Sequence, residues 1–444
     1  MDRSPVGRAA EKQGRGEQPK ISRAYSNYVL ILLFVVYIFN FIDRQVLSIL
    51  LEPIKKDLGV SDTFMGFLNG FAFVIFYTCA GIPIARIADR TSRRAVIALG
   101  LVTWSVMTAV SGLARTGWQL AAARVGVGVG EAAGTPPAHS LISDYFDPSR
   151  RATALSIYSM GVYLGVAAAF MGGSWLATHF GWRSVFMVVG LAGVPLAVLV
   201  RATVRELPRG YSEIGPVAQV EPAPFSATLL QLMRNRSFVW IVSATALQSL
   251  SGYGILTWGP TFLIRIHGME MLDVGLTLGA AIGILGAAGA YFGGRWADAM
   301  AKRNERWYMI LPAIQTAALL PFAYGFILLD SRVGALLCFV PFYFLGAMYV
   351  GPMHSVIQGL VVPNQRAVAS AINLFIVNMV GLGLGPLVIG FLNDVWAAEY
   401  GVSAIRYSML LAATVGFLSS GAFWLASRHL PEDLQAARDA ARGE

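Results

Sequence analysis

Apolar residues run along this chain in long blocks rather than in alternation. With soft edges the blocks are 28–51, 63–85, 95–114, 117–145, 151–177, 184–204, 237–266, 272–297, 307–329, 333–360, 366–392 and 403–428. Each offers the roughly 20 mainly apolar residues that a helix needs to cross a bilayer. None breaks into the ~10-residue alternating segments of a membrane barrel. The pattern predicts an all-α membrane protein of twelve transmembrane helices. A polar stretch divides them six and six: Pro208, Gly210, Gly215, Pro216, Pro222 and Pro224 lie among charged residues there. The expected organisation is a disordered tail over 1–26, a six-helix bundle over 27–204, a linker over 205–236, a second bundle over 237–429 and a tail over 430–444. Within the linker, Phe225 to Met233 reads either as a short amphipathic helix on the membrane surface or as a loop. Pro431-Glu432-Asp433 suits the opening of a short solvated helix to Arg442, with acids in its first turn and a base in its last.

Composition supports this reading. The chain of 444 residues is 56% hydrophobic and 13% charged, about half the charge of a soluble chain. The net charge of +9 would suit nucleic acid, but its distribution points elsewhere. Of 34 Lys and Arg residues, 25 fall on the side of the termini, seven on the opposite side, and two, Arg44 and Arg124, inside spans. That asymmetry is the positive-inside rule, which places both termini in the cytoplasm and argues against nucleic-acid binding. The first residues contain no short apolar core with a cleavage site, so they are not read as a signal peptide. Cys79 and Cys338 both fall in spans and imply packing, not a disulfide framework or a metal site.

Two blocks are interrupted by charge. Asp43 and Arg44 lie in the first, Arg124 and Glu131 in the fourth. Each such group costs roughly 2.5–3.5 kcal/mol at a span centre, so the four are candidates for a working network. With ~1.5 Å of rise per residue, Asp43 and Arg124 fall at a matching depth of ~10 Å from the periplasmic side and are expected to pair. Glu131 lies two turns beyond Arg124, nearer the midplane. Arg44 points ~100° away from Asp43 and is free for another partner, Glu131 being one. Protonating a carboxylate releases its arginine, so Asp43 and Glu131 are expected to titrate and Arg44 and Arg124 to gate. A static network that fixes helix packing is the other reading. Protons would be the coupling ion, with no cofactor and no metal. Candidate cavity residues are Asn40, Thr135, His139, Gln248, Tyr253, Tyr343 and Asn373. His139 suits a proton relay or an ordinary interior histidine. The second half offers no comparable charges and reads as a neutral, partly greasy wall.

The halves resemble each other. Arg86-Ile-Ala-Asp89-Arg90 follows the second span and Arg295-Trp-Ala-Asp298 the eighth, each with a basic cluster behind it. Pro148-Ser-Arg-Arg-Ala-Thr-Ala enters the fifth span and Pro363-Asn-Gln-Arg-Ala-Val-Ala the eleventh. Two six-span halves in one orientation are the parallel repeat of a major facilitator transporter. The loop around Asp89, with Arg90, Arg93 and Arg94, resembles that family's cytoplasmic motif, although Ala85 and Ser92 replace its usual glycines. The resemblance implies a cytoplasmic gate in which Asp89 meets a helix N-terminus of the other half, the arginines bind carboxylates or lipid phosphates, and Asp298 is the second-half counterpart. Gly126, Gly128 and Gly130 ahead of Glu131 resemble the fourth-helix motif. Gly161-x-x-x-Gly165 and Gly381-x-x-x-Gly385-Pro386 resemble its bending motifs, the first without the proline.

Asn40-Phe-Ile-Asp43-Arg44, Gly181-Trp-Arg183, Glu206-Leu-Pro-Arg209-Gly210 and Gly252-Tyr253-Gly254 are similar to the Spinster branch. That resemblance implies a proton-linked carrier of lysophospholipids or sphingosine-phosphate-like amphiphiles working by alternating access. The expected setting is the bacterial inner membrane, with the protein a monomer in contact with membrane lipid. A symporter of small organic anions and a multidrug exporter are the alternatives. No His-Glu-x-x-His, Gly-x-Ser-x-Gly or filter-like loop supports an enzyme or a channel.

Overall fold

A computed structural model describes residues 21–212, 225–362 and 365–442. The calls on 1–20, on 213–224 within the linker and on the Pro363-Asn364 dipeptide lie outside these residues. The first half comprises α1 (Arg23–Leu58), α2 (Asp62–Asn69), α3 (Phe71–Arg90), α4 (Arg93–Ser111), α5 (Gly117–Glu131), α6 (Thr135–Tyr145) and α7 (Pro148–Thr203). A short helix, α8 (Phe225–Arg234), leads into α9 (Arg236–His267), α10 (Met271–Ala301), α11 (Trp307–Leu328), α12 (Arg332–Ala347), α13 (Val350–Gly359), α14 (Arg366–Ile376), a π turn over Val377–Leu384, α15 (Gly385–Tyr400) and α16 (Ala404–Arg442).

Nine helical stretches among the described residues are long and apolar enough to cross a membrane. They account for eleven of the twelve spans. Pro148–Thr203 holds two, because Gly181 (φ 80°) bends it in a conformation that only glycine takes without strain. Val368–Ala440 holds the eleventh and twelfth. The fourth span escapes the count because it breaks after Glu131, at 132–134, into α5 and α6. The break falls where Pro136 and Pro137 open the next helix, a position that tolerates their missing N–H. The π turn has a similar cause: Pro386 cannot donate to the preceding turn, and the ladder slips there.

Two tail expectations change. Ser22 caps α1 by accepting from the Tyr25 N–H, so 23–26 are helical rather than tail. α16 runs unbroken through Pro431 to Arg442, and Asp433 accepts from the Ser237 N–H at 2.8 Å, docking the C-terminal extension on the start of α9.

Both ends of the described chain lie on one side, here the terminal end, with the other the far end. The halves share a core at the far end, where Ile54 and Met65 join Trp258, Phe262 and Ile389. Toward the terminal end two cores separate, one around Leu33, Ile97 and Leu141 of the first half, joined from the other half by Leu382, and one around Phe238, Val356 and Phe423 of the second. The molecule is a V closed at the far end. Glycines make the closure tight: a Cβ on Gly66 would strike the Pro386 carbonyl, and one on Gly390 the Asp62 carbonyl.

Candidate functional site

Three layers of chemistry lie between and within the halves. The first is the charge network. Asp43, Arg44, Arg124 and Glu131 are all buried, none more than 7% exposed. Gly128 lets α5 lie against the Phe73 backbone of α3, and Gly130 lets it lie against Trp104 of α4, which brings Arg124 and Glu131 inward. Arg44 donates to one oxygen of Glu131 through Nε at 3.2 Å and Nη2 at 2.8 Å. Its guanidinium also sits over the rings of Phe41, Phe73 and Tyr77 at 4.8–5.0 Å, a cation–π cage that holds a charge in a dry place.

The expected Asp43–Arg124 ion pair does not form. Their depths match, but Arg124 Nη1 donates to the Asp43 backbone carbonyl at 3.1 Å. The carboxylate turns instead toward Thr108 and Trp104 of α4 and closes no hydrogen bond. Helix geometry explains the miss: adjacent residues diverge by ~100°, and with Arg44 committed to α5 the Asp43 side chain faces α4. The second oxygen of Glu131 and two nitrogens of Arg124 are also unpartnered.

The second layer is a cavity of about 190 Å³ between the halves. Phe41 and Gln45 of α1 and Tyr163 of α7 face Gln248, Tyr253 and Tyr343 of the second half across it. Its lining carries no charged residue. Three of the expected cavity residues, Gln248, Tyr253 and Tyr343, line it, and four do not. Asn40 is buried beside Glu131. Asn373 is used inside the second bundle, accepting from Thr245 at 3.1 Å. Thr135 and His139 lie at Tyr158 instead, His139 edge-on to its ring at 5.3 Å.

The third layer is a far-end lock that sequence reasoning missed. Asp62, 2% exposed, accepts from Arg265 at 2.5 and 2.8 Å, from Lys55 at 2.5 Å and from Asn393 at 3.0 Å. Arg265 also reaches Glu52 at 2.8 Å. Asp394 accepts from the Asp62 and Thr63 N–H groups at 3.1 and 2.7 Å, closing the start of α2 from the other half. Every strand of this network except the Lys55 bond joins one half to the other. Its members look like ordinary span-edge charges in the sequence, and no spacing rule links them.

At the terminal end the expected gate is disengaged. Asp89, well exposed, meets Arg209 of its own half at 3.4 Å, and Asp298 accepts from Tyr308, again within its own half. Arg90 lies exposed beside them. Arg93 is not a surface gate residue: it is 1% exposed and holds Asp144, Glu206 at 2.8 Å and the Leu207 carbonyl at 2.7 Å. Arg94 donates to the Val204 carbonyl. Burial pushes the Glu206 carboxyl up, but hydrogen bonds from Arg93, the Arg94 N–H and Ser92 outweigh it and hold the group below the usual carboxylate range.

The Major Facilitator Superfamily model matches residues 33–386. The chain belongs to that superfamily. Its likeness to Spinster proteins places this major facilitator protein on their branch. It is 30% identical to a bacterial homologue of the human lysosomal transporter Spinster, in a structure titled inward-facing and unoccupied, with a TM-score of 0.85 over 93% of this chain and 99% of that one. It is 26% identical to spinster homolog 3 of Danio rerio, over 94% of this chain and 88% of the relative. It is 38% identical to an MFS-type efflux pump of Mycolicibacterium smegmatis, over 91% of this chain and 93% of that protein. The protein is therefore a multi-pass membrane transporter of a small molecule and not an enzyme, built as two six-helix bundles.

Proposed function

We propose that this transporter couples the movement of a single-chain amphiphile to protons by alternating access. In this reading its terminal end faces the cytoplasm, across a bacterial inner membrane, and it works as a monomer. The observation that carries the reading is a buried network of two acids and two arginines set directly behind an uncharged cavity. Tyr253 lines that cavity and lies within electrostatic reach of Arg44. Protonating Glu131 removes the partner of Arg44, and breaking a buried pair in this way costs about 3–5 kcal/mol unless the freed cation finds another anion or water. The freed guanidinium, next to Phe41 and Tyr253, would favour an anionic or zwitterionic head group in the cavity. Asp43, whose carboxylate has no hydrogen bond in this closed-far-end state, is the second proton site.

The largely apolar lining disfavours small organic anions, which would meet the freed Arg44 but bring no apolar surface to bury against the rest of the cavity. It leaves room for a compact lipophilic cargo, a second reading favoured by the 38% identity to a protein named an efflux pump. Proton flux driven by substrate in liposomes tests the coupling. Asp43→Asn and Glu131→Gln should each lose the pH dependence of transport, and normal pH dependence in both would remove the proton from the mechanism. Competition among a lysophospholipid, a hexuronate and a lipophilic cation tests the cargo.

A further inference from the structure

The cavity is graded along the membrane normal. α9 runs from the terminal end to the far end, so Gln248 and Ser249 lie nearer the terminal end than Ile255 and Leu256, ~12 Å apart by helix rise. α12 runs the opposite way, so Phe339 and Phe342 lie deeper than Tyr349. Hydrogen-bonding groups therefore gather at one end. Tyr163, Tyr253, Tyr343 and Tyr349 hydroxyls all lie within electrostatic reach of one another there. Among the described residues the first three of these hydroxyls make no hydrogen bond, which leaves them for a ligand. The other end is closed and mainly apolar, with Ile255, Leu256, Phe339 and Phe342 beside Gln45 of α1, whose amide oxygen accepts from Ser48.

What closes it is a phenylalanine stack. Phe339 and Phe342 face the cavity, with ring centroids 5.9 Å apart. Behind them Phe326 packs on Phe339 at 5.2 Å, and Phe262 packs on Phe326 at 5.2 Å. Phe262 and Phe326 have no exposed surface, so the two cavity-facing rings rest on a rigid support. A volume near 190 Å³ is only somewhat larger than an engineered apolar cavity of ~150 Å³ that holds benzene. The closed end accommodates a short apolar segment, not a full-length acyl chain.

We propose that Phe339 and Phe342 form a floor that selects cargo by the length of its apolar chain. The head group stays at the phenol and amide groups on the cytoplasmic side. This inference rests on the amphiphile reading above. An amphiphile of the cytoplasmic leaflet then enters tail first without turning over, because its own orientation matches the polarity of the cavity. Each methylene that fits is worth roughly fourfold in affinity, and methylenes beyond the floor contribute nothing or are rejected.

The test is binding of lysophosphatidylcholines, from hexanoyl to stearoyl, to the purified full-length protein in nanodiscs. In the wild type, affinity should climb about fourfold per methylene and then stop. Phe342→Ala should move the stopping point to longer chains and Phe342→Trp to shorter ones. Thermal melting of each variant confirms folding, and the Trp variant keeps the test open should the Ala variant not fold. A stopping point that stays the same in folded variants overturns the floor while leaving the amphiphile reading intact. Wild-type protein that binds no chain of any length overturns both.

Discussion

Removing Arg265 should open the far end. Its bonds to Asp62 and Glu52, at 2.5–2.8 Å, join the halves directly and exist only while that end is closed. The Asp62 side chain is 3% exposed and that of Arg265 14%, so the pair is largely dry. Breaking a buried pair costs about 3–5 kcal/mol. Asp62 keeps Lys55 and Asn393 as partners, which puts Arg265→Met at the low end, about 3 kcal/mol. In the open state both groups would meet water, and the substitution costs little there. The penalty then falls on the closed state alone and shifts the closed-to-open ratio by roughly a hundredfold. Pulsed EPR would read this with spin labels at Leu113 and Val402, which are exposed on opposite halves at the far end, after Cys79 and Cys338 are replaced by serine. The variant should gain a long-distance population that the parent lacks. An unchanged distance distribution in a folded, monodisperse protein would refute the lock.

Three further outcomes are expected. Gly390→Val should prevent far-end closure because its side chain would meet the Asp62 backbone, and the same spin-label pair should lengthen while the melting temperature of the bundles changes little. Arg44→Lys should abolish proton-coupled flux despite keeping the charge, since an ammonium cannot lie flat over Phe41, Phe73 and Tyr77 while donating twice to Glu131. Glu206→Gln should lower thermal stability at neutral pH. Because the folded carboxyl titrates below its unfolded value, its contribution is complete above about pH 4.3 and fades as pH falls through the folded value, so the wild type and variant should converge in acid.

Span positions, the two-half repeat and the buried charges were legible because each leaves a local mark: an apolar run, a repeated motif, a charge where charge is costly. The far-end lock left none. Lys55, Asp62, Arg265 and Asn393 sit at span edges, where solvated charge is ordinary, and only the packing of the halves brings them together. The Asp43–Arg124 expectation shows a second limit. Counting residues gave the depth of each group, but which side of a helix a carboxylate faces depends on what its neighbours have already taken. Cavity membership failed for Asn373 for the same reason, because Thr245 occupies its carbonyl.

The buried network holds two acids and two arginines, all inside one half. With both acids ionised the four carry no net charge in the low-dielectric core, so an electric field across the membrane has no purchase on them. One bound proton changes this and leaves a unit positive charge there. A potential of 100 mV acts on a charge carried fully across with about 2.3 kcal/mol, as much as a substantial pH gradient. Charge-displacement recordings on a supported membrane should register a transient after a pH jump, absent when Asp43 and Glu131 are both neutralised. The balanced quartet would then set the transporter's direction by voltage as well as by acidity, with the field gripping the molecule only while it is loaded with a proton.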